Sequence, residues 1–143
     1  MAIELNLEGI KLQFAVYGWK PTIENAWDDN WCNVKLGVYN SFMNYQIDSD
    51  VLLSCEVEEI ASCIGKSLAG EEVKHLEFIE PDLELEFVRP HTEEEEATAK
   101  LIINFWDEGV LTTNSLHLTL CEEDLKSISE YLEKVIREGV LNG

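Results

Sequence analysis

The stretch "FIEPDLELEF", residues 78–87, sets an acid at every second position: Glu80, Asp82, Glu84 and Glu86, with Leu83, Leu85 and Phe87 between them. Alternation with a period of two predicts a strand with an apolar side and a wet side, so the leucines and Phe87 face a core. Residues i and i+2 of a strand share a face about 6.7 Å apart, which spreads the four acids over a row of about 20 Å. That row is too long to converge on one ion, whose oxygen ligands sit within about 2.6 Å of it. A general acid–base pair needs two carboxylates in unlike environments facing one cleft, and a uniform row supplies neither condition. Neighbouring charges in the row repel by about 0.6 kcal/mol in water, less with salt. A cost this small leaves two readings open: a solvated face, or a strip that meets lysines and arginines of another protein.

The rest of the chain supplies the frame for that strand. Ile3, Leu5 and Leu7 alternate with polar residues, and after Gly9 so do Ile10, Leu12, Phe14 and Val16, two strands joined by a tight turn. "GWKPTIENAWDDN" (18–30) reads as a loop, Cys32 to Val38 as a strand, and "NSFMN" (40–44) as a hairpin turn into Tyr45 and Ile47. Val57, Ile60, Ala61, Ile64 and Leu68 follow helical spacing, with Ser54 as N-cap, Glu56 in the first turn and Gly70 as the stop. Strand patterns return at 76–79, 83–88, 101–105 and 116–120. A last helix carries Leu125, Ile128, Leu132, Val135 and Ile136, with Gly139 as its terminator. Strands joined by hairpins exclude a doubly wound parallel sheet. The sequence predicts one α+β domain over residues 1–143: a mainly antiparallel, curved or split sheet with two amphipathic helices, in the order ββββ-α-ββββ-α. No internal sequence repeat is visible, and "RPHTEEEEATAK" (89–100) reads as a charged loop that discourages edge pairing.

With 29 acids against 10 bases the formal charge is −19, yet 45% of the 143 residues are hydrophobic, so the chain folds rather than remaining an acidic coil. Such a surface repels nucleic-acid phosphates and anionic membranes, and suits a basic protein partner. No apolar run approaches the roughly 20 residues of a membrane span, and the first residues lack a secretory pattern, which predicts a cytoplasmic protein. The four cysteines lack metal-ligand or redox spacing and read as free thiols. His75, His91 and His117 have no metal or triad spacing around them, and no nucleotide or hydrolase motif occurs, so no cofactor and no metal are expected. Asp28-Asp29-Asn30 and Asp48-Ser49-Asp50 lack the Gly and Glu of a calcium loop and read as turn chemistry. Trp19, Trp27 and Trp31 crowd an acidic loop beside Tyr17, either anchoring it to the core or facing a partner.

Taken in order, "DDNWCNVKLGV" (28–38), "DSDVLLSCEVEEIASCI" (48–64) and "EFIEPDLELEF" (77–87), followed by a strand and a helix, resemble the WapI-type immunity family. Its members are small bacterial proteins that protect a cell from the toxin tip of a wall-associated or contact-dependent toxin. The resemblance runs from about Ile3 to Ile136. It rests most on Asn30-Trp31 before a strand, Leu52-Leu53 entering a helix with Glu56, and Phe78-Ile79-Glu80-Pro81 followed by Leu83. It implies toxin neutralisation by direct binding and brings no catalytic residues. Many such toxins are nucleases with basic surfaces, which an acidic inhibitor meets with complementary potential. On this reading Glu80, Asp82, Glu84 and Glu86 are the candidate partner contacts, with Asp28 and Asp29 as second choices. The alternatives are an intracellular scaffold or adaptor subunit, an enzyme whose site residues are dispersed in sequence, and nucleic-acid mimicry by the acid row. Oligomeric state stays open.

Overall fold

Glu8 and Gly9 take φ angles of 50° and 82°, and Glu108 and Gly109 take 50° and 77°. Two successive residues at positive φ make the two-residue hairpin turn whose twist matches that of paired strands. A computed structural model describes residues 2–24, 30–90, 92 and 94–142, and in it these turns close the first and last of the hairpins. The elements in order are β1 (Ile3–Leu7), β2 (Ile10–Tyr17), β3 (Trp31–Tyr39), β4 (Asn44–Leu53), α1 (Ser54–Leu68), β5 (Leu76–Glu77), β6 (Leu83–Val88), β7 (Thr98–Asp107), β8 (Val110–Leu120) and α2 (Glu122–Asn142). They form two four-stranded antiparallel sheets, β1-β2-β3-β4 and β5-β6-β7-β8. The predicted ββββ-α-ββββ-α order and α+β class are what the chain adopts. Although no repeat is visible in the sequence, the two halves repeat each other in topology: each is a four-stranded meander followed by a helix.

One core serves both halves. Leu12, Val34, Leu36 and Val38 point inward from the first sheet, and Leu83, Leu85, Leu101 and Leu118 from the second. α1 packs on α2, α2 reaches β1, β7 and β8, and the β1 and β8 edges of the two sheets adjoin. A small apolar cavity of about 50 Å³ marks the junction; it is lined by Leu12 and Leu36, Ile60 of α1, Leu101 and Leu120, and Leu132 of α2. Across the same junction, Tyr131 of α2 accepts a hydrogen bond from the Val16 amide at 3.0 Å and meets Phe14 edge to face. No helix among the described residues is long and apolar enough to cross a membrane.

Three local expectations are corrected. Asp48-Ser49-Asp50 is not a turn but lies within β4, whose ladder continues past it because a bulge intervenes: Asp50 pairs with Asn33 and Leu52 with Cys32, leaving Val51 as an extra residue. The bulge lets Val51, Leu52 and Leu53 all be buried, which a strict period of two forbids. Ser54 is not the N-cap of α1. Leu53 holds that position, and its amide donates to Glu56 Oε1 at 2.9 Å. The Ser54 hydroxyl instead lies 3.6 Å from the Cys32 thiol, and its carbonyl accepts the Trp19 indole N–H at 3.0 Å.

Gly139 does not end α2, which runs on to Asn142. A Cβ there would strike the Trp19 ring and come within 2.7 Å of the Trp19 carbonyl oxygen. The glycine is a notch in the helix surface that lets Trp19 lie against it. All four cysteines are free, Cys32 and Cys63 buried and Cys55 and Cys121 exposed.

Glu56 is the least expected member of this frame. It is 8% exposed, and while Oε1 takes the Leu53 amide, Oε2 takes the Ile79 amide at 3.1 Å. One carboxylate thus joins the start of α1 to the loop after β5. Glu56→Ala leaves two amides without partners and is expected to lower unfolding free energy by about 2 kcal/mol or more in urea titrations. Gly139→Ala is expected to cost about 1–3 kcal/mol through overpacking against Trp19. A wild-type midpoint for either variant would contradict these roles.

Candidate functional site

The acids of residues 80–86 do not form a uniform row. Only Glu84 and Glu86 lie in β6; Glu80 and Asp82 sit in the turn before it, because Pro81 and the turn interrupt the strand pattern. Leu83 and Leu85 point into the core at 4% and 6% exposure, as the alternation requires, with Phe87 packed at its margin.

Each acid has its own surroundings. Asp82 is 6% exposed, and its backbone carbonyl accepts the Asn104 amide at 2.9 Å. Burial pushes the Asp82 carboxyl above its ordinary value and the nearby Glu80 charge pushes it further; its own backbone amide and a hydrogen bond from Trp106 pull it partly back. Glu84 is half-buried: Oε1 lies 3.0 Å from His75 Nε2, and Oε2 accepts from Asn104 Nδ2 at 2.8 Å. The same Asn104 nitrogen donates to the Pro81 carbonyl at 2.7 Å, fixing the turn to β7. Glu86 is exposed and pairs in register with Lys100. The turn and the outer face of β6 thus carry a graded set of carboxylates, with Asp82 bonded by Trp106, Glu84 by Asn104 and His75, and Glu86 exposed.

Trp106, which the sequence reading passed over, stands at the far end of this set. The β7–β8 ladder slips between Asn104 and Trp106, so three residues of β8 (112–114) face the single Phe105. Thr112 Oγ1 closes the irregularity by donating to the Phe105 carbonyl at 2.8 Å. Bulges re-aim side chains, and this one turns Phe105 onto Tyr45, ring centroids 4.7 Å apart, while Trp106 stays 37% exposed. The Trp106 amide donates to the Tyr45 hydroxyl at 3.1 Å, joining the hairpin tips of the two halves. Val110 (65% exposed) and Leu111 (39%) flank Trp106 on one tip, and Phe42 (83%) crowns the other. Exposed apolar groups of this size beside charge are a mark of protein interfaces. The signal for them in the sequence was "FWDEGVL" (105–111), an apolar pair on each side of a tight turn.

The other singled-out residues fall elsewhere. Asp28, Asp29, Trp27 and His91 lie outside the described residues. Asn30 is buried, its amide bonded to both the amide and the carbonyl of Ile23, which is turn chemistry. Trp19 is a core anchor and Trp31 is half-buried in β3, while Tyr17 is 38% exposed beneath Lys35 at 5.3 Å. His117 is exposed on β8, its Nε2 3.0 Å from the Ser115 hydroxyl. His75 is brought by the β5–β6 pairing beside Glu77 and Glu84, with their ligand atoms within 4.8 Å of one another. A second acidic surface, a concavity of about 720 Å³, is lined by Glu94, Glu95, Glu96 and Glu122 with Arg89 at the end of α1.

Among described families, residues 3–138 match the immunity protein WapI-like family. Comparison with curated proteins gives no match, and comparison with solved structures gives none either.

Asp82 carries a pH prediction. Its folded form holds a proton more tightly than the unfolded chain does, so ionised Asp82 costs stability. The penalty is absent below the ordinary aspartate pKa of about 3.9, grows as pH rises from there to the elevated folded value, and is constant above it. Asp82→Asn, which still accepts from Trp106, is expected to melt above the wild type at neutral pH, and the gap should close as pH falls through that window. A gap that is absent at neutral pH, or that widens on acidification, would contradict the assignment.

Proposed function

The chain belongs to the WapI-like immunity protein family, and from that premise we propose that it neutralises a toxin domain by binding it directly, as a stoichiometric partner without catalysis. The toxin domain is basic, of the nuclease type, and encounter occurs in the bacterial cytoplasm. Contact is made through Glu80, Asp82, Glu84 and Glu86, with Asp28 and Asp29 as second choices and Trp106 as the apolar anchor beside them.

The observation that carries the site is Asp82. A carboxyl group is kept 6% exposed next to Glu80 and under Trp106, where burial and the neighbouring charge both disfavour its ionised form. A cationic side chain arriving at this turn offsets both the desolvation and the repulsion, so part of the binding energy is already stored in the unbound fold. Trp and Arg dominate interface energetics, and a 37% exposed tryptophan that bonds a buried acid suits an arginine-rich surface. The net charge of −19 adds long-range steering toward a positive partner.

Replacing Glu80, Asp82, Glu84 and Glu86 together by Gln, Asn, Gln and Gln should leave the circular dichroism spectrum native. Association with the toxin domain encoded beside this protein, measured by stopped flow at low salt, is expected to slow by about tenfold or more and to lose much of its salt dependence. Trp106→Ala should chiefly raise the dissociation rate. Unchanged association by the fourfold variant would rule out the acid face as the docking surface.

A further inference from the structure

We infer that His75, Glu77 and Glu84 form a binding site for one zinc-class divalent transition-metal ion on the outer face of the second sheet. The antiparallel β5–β6 ladder places Glu77 directly opposite Glu84, and His75, two residues before Glu77, falls on the same face. The imidazole nitrogen and one oxygen from each carboxylate lie within 4.8 Å of one another, and His75 Nε2 and Glu84 Oε1 are already 3.0 Å apart. Ligand atoms around a tetrahedral zinc, with bonds of about 2.0–2.2 Å, are separated by about 3.3 Å. The exposed His75 and Glu77 side chains have to turn toward a common point to complete three corners of that polyhedron.

Three further features favour a metal over a plain His–Glu pair. Like charges directly opposite in a ladder are destabilising, yet Glu77 faces Glu84 across an edge strand only two residues long. Among the described residues, neither carboxylate is paired with a lysine or arginine. Asn104 Nδ2 holds Glu84 Oε2 at 2.8 Å, leaving Oε1 turned to His75, which is how outer-shell groups orient a ligating carboxylate. An imidazole in the set selects zinc, cobalt, nickel or copper over magnesium and calcium. The fourth position is open to solvent.

The site stands apart from the toxin-binding reading although Glu84 serves in both, and it is tested on the protein alone. Cobalt(II) titration followed by visible absorption, with thermal melts in zinc, is compared for the wild type, Glu77→Gln and His75→Ala. One cobalt per chain is expected, with ligand-field bands but no thiolate-to-cobalt charge-transfer band, together with a higher melting temperature in zinc. Each substitution should weaken affinity by about tenfold or more. Glu77 has an exposed side chain, so Glu77→Gln keeps the test decisive even if His75→Ala perturbs folding. Equal affinity in the wild type and Glu77→Gln, or a thiolate band from the exposed Cys55 or Cys121, would overturn the site, as would an unshifted melt.

Discussion

Two four-stranded meanders, each with one apolar face, have to be covered by the same two helices, and the rest of the molecule follows from that constraint. Neither half closes a core alone: the small cavity at the centre takes its walls from both sheets and both helices. Polar groups trapped at the junction must then find partners there, because an unpaired buried amide costs about 1–3 kcal/mol. Glu56 meets that demand at both ends, taking Leu53 at the start of α1 and Ile79 in the loop before β6. Its carboxylate therefore does more than complement the helix dipole, as its position in the first turn suggests. It fixes the turn that carries Glu80 and Asp82 to the opposite half of the protein.

The candidate site inherits its rigidity from this arrangement. Asn104 ties the turn and Glu84 to β7, and the Trp106 amide ties β7 to Tyr45 in the first sheet. Carboxylates held in this way lose little further freedom on binding, which favours affinity for a partner that brings positive charge. At the same turn, burial and the Glu80 charge raise the Asp82 pKa. Stability given up in the free protein is a common accompaniment of a surface shaped for binding. The loop at Glu94, Glu95 and Glu96 is acidic as well, but its glutamates are exposed and it lacks a buried carboxylate of the Asp82 kind among the described residues.

Much of the fold was legible because both periodicities are clean: alternation in β1, β2, β3 and β6, and helical spacing in α1 and α2. What escaped depends on contacts distant in sequence. Gly139 reads as a helix stop, and nothing local to it reveals that Trp19 needs its missing Cβ. Asp48-Ser49-Asp50 reads as a turn because polar residues cluster there, whereas the bulge opposite Cys32 and Asn33 is visible only in the paired strand. The acid alternation reads as one greasy and one wet side, which holds within β6 for Glu84 and Glu86 but not for Glu80 and Asp82, which precede the strand. Its division into a buried Asp82, a half-buried Glu84 and an exposed Glu86 comes from Trp106 and Asn104, about 20 residues further along the chain. His75, Glu77 and Glu84 likewise show no local metal spacing, since the hairpin alone brings them together.

Hydrogen exchange on a complex with the proposed toxin partner tests the central claim most directly. The account predicts added protection of backbone amides at residues 79–88 and 104–111, where the acid turn and the Trp106 hairpin adjoin, with little change across α2. Protection confined to residues 89–97 and the start of α2, the other acidic surface, would contradict it.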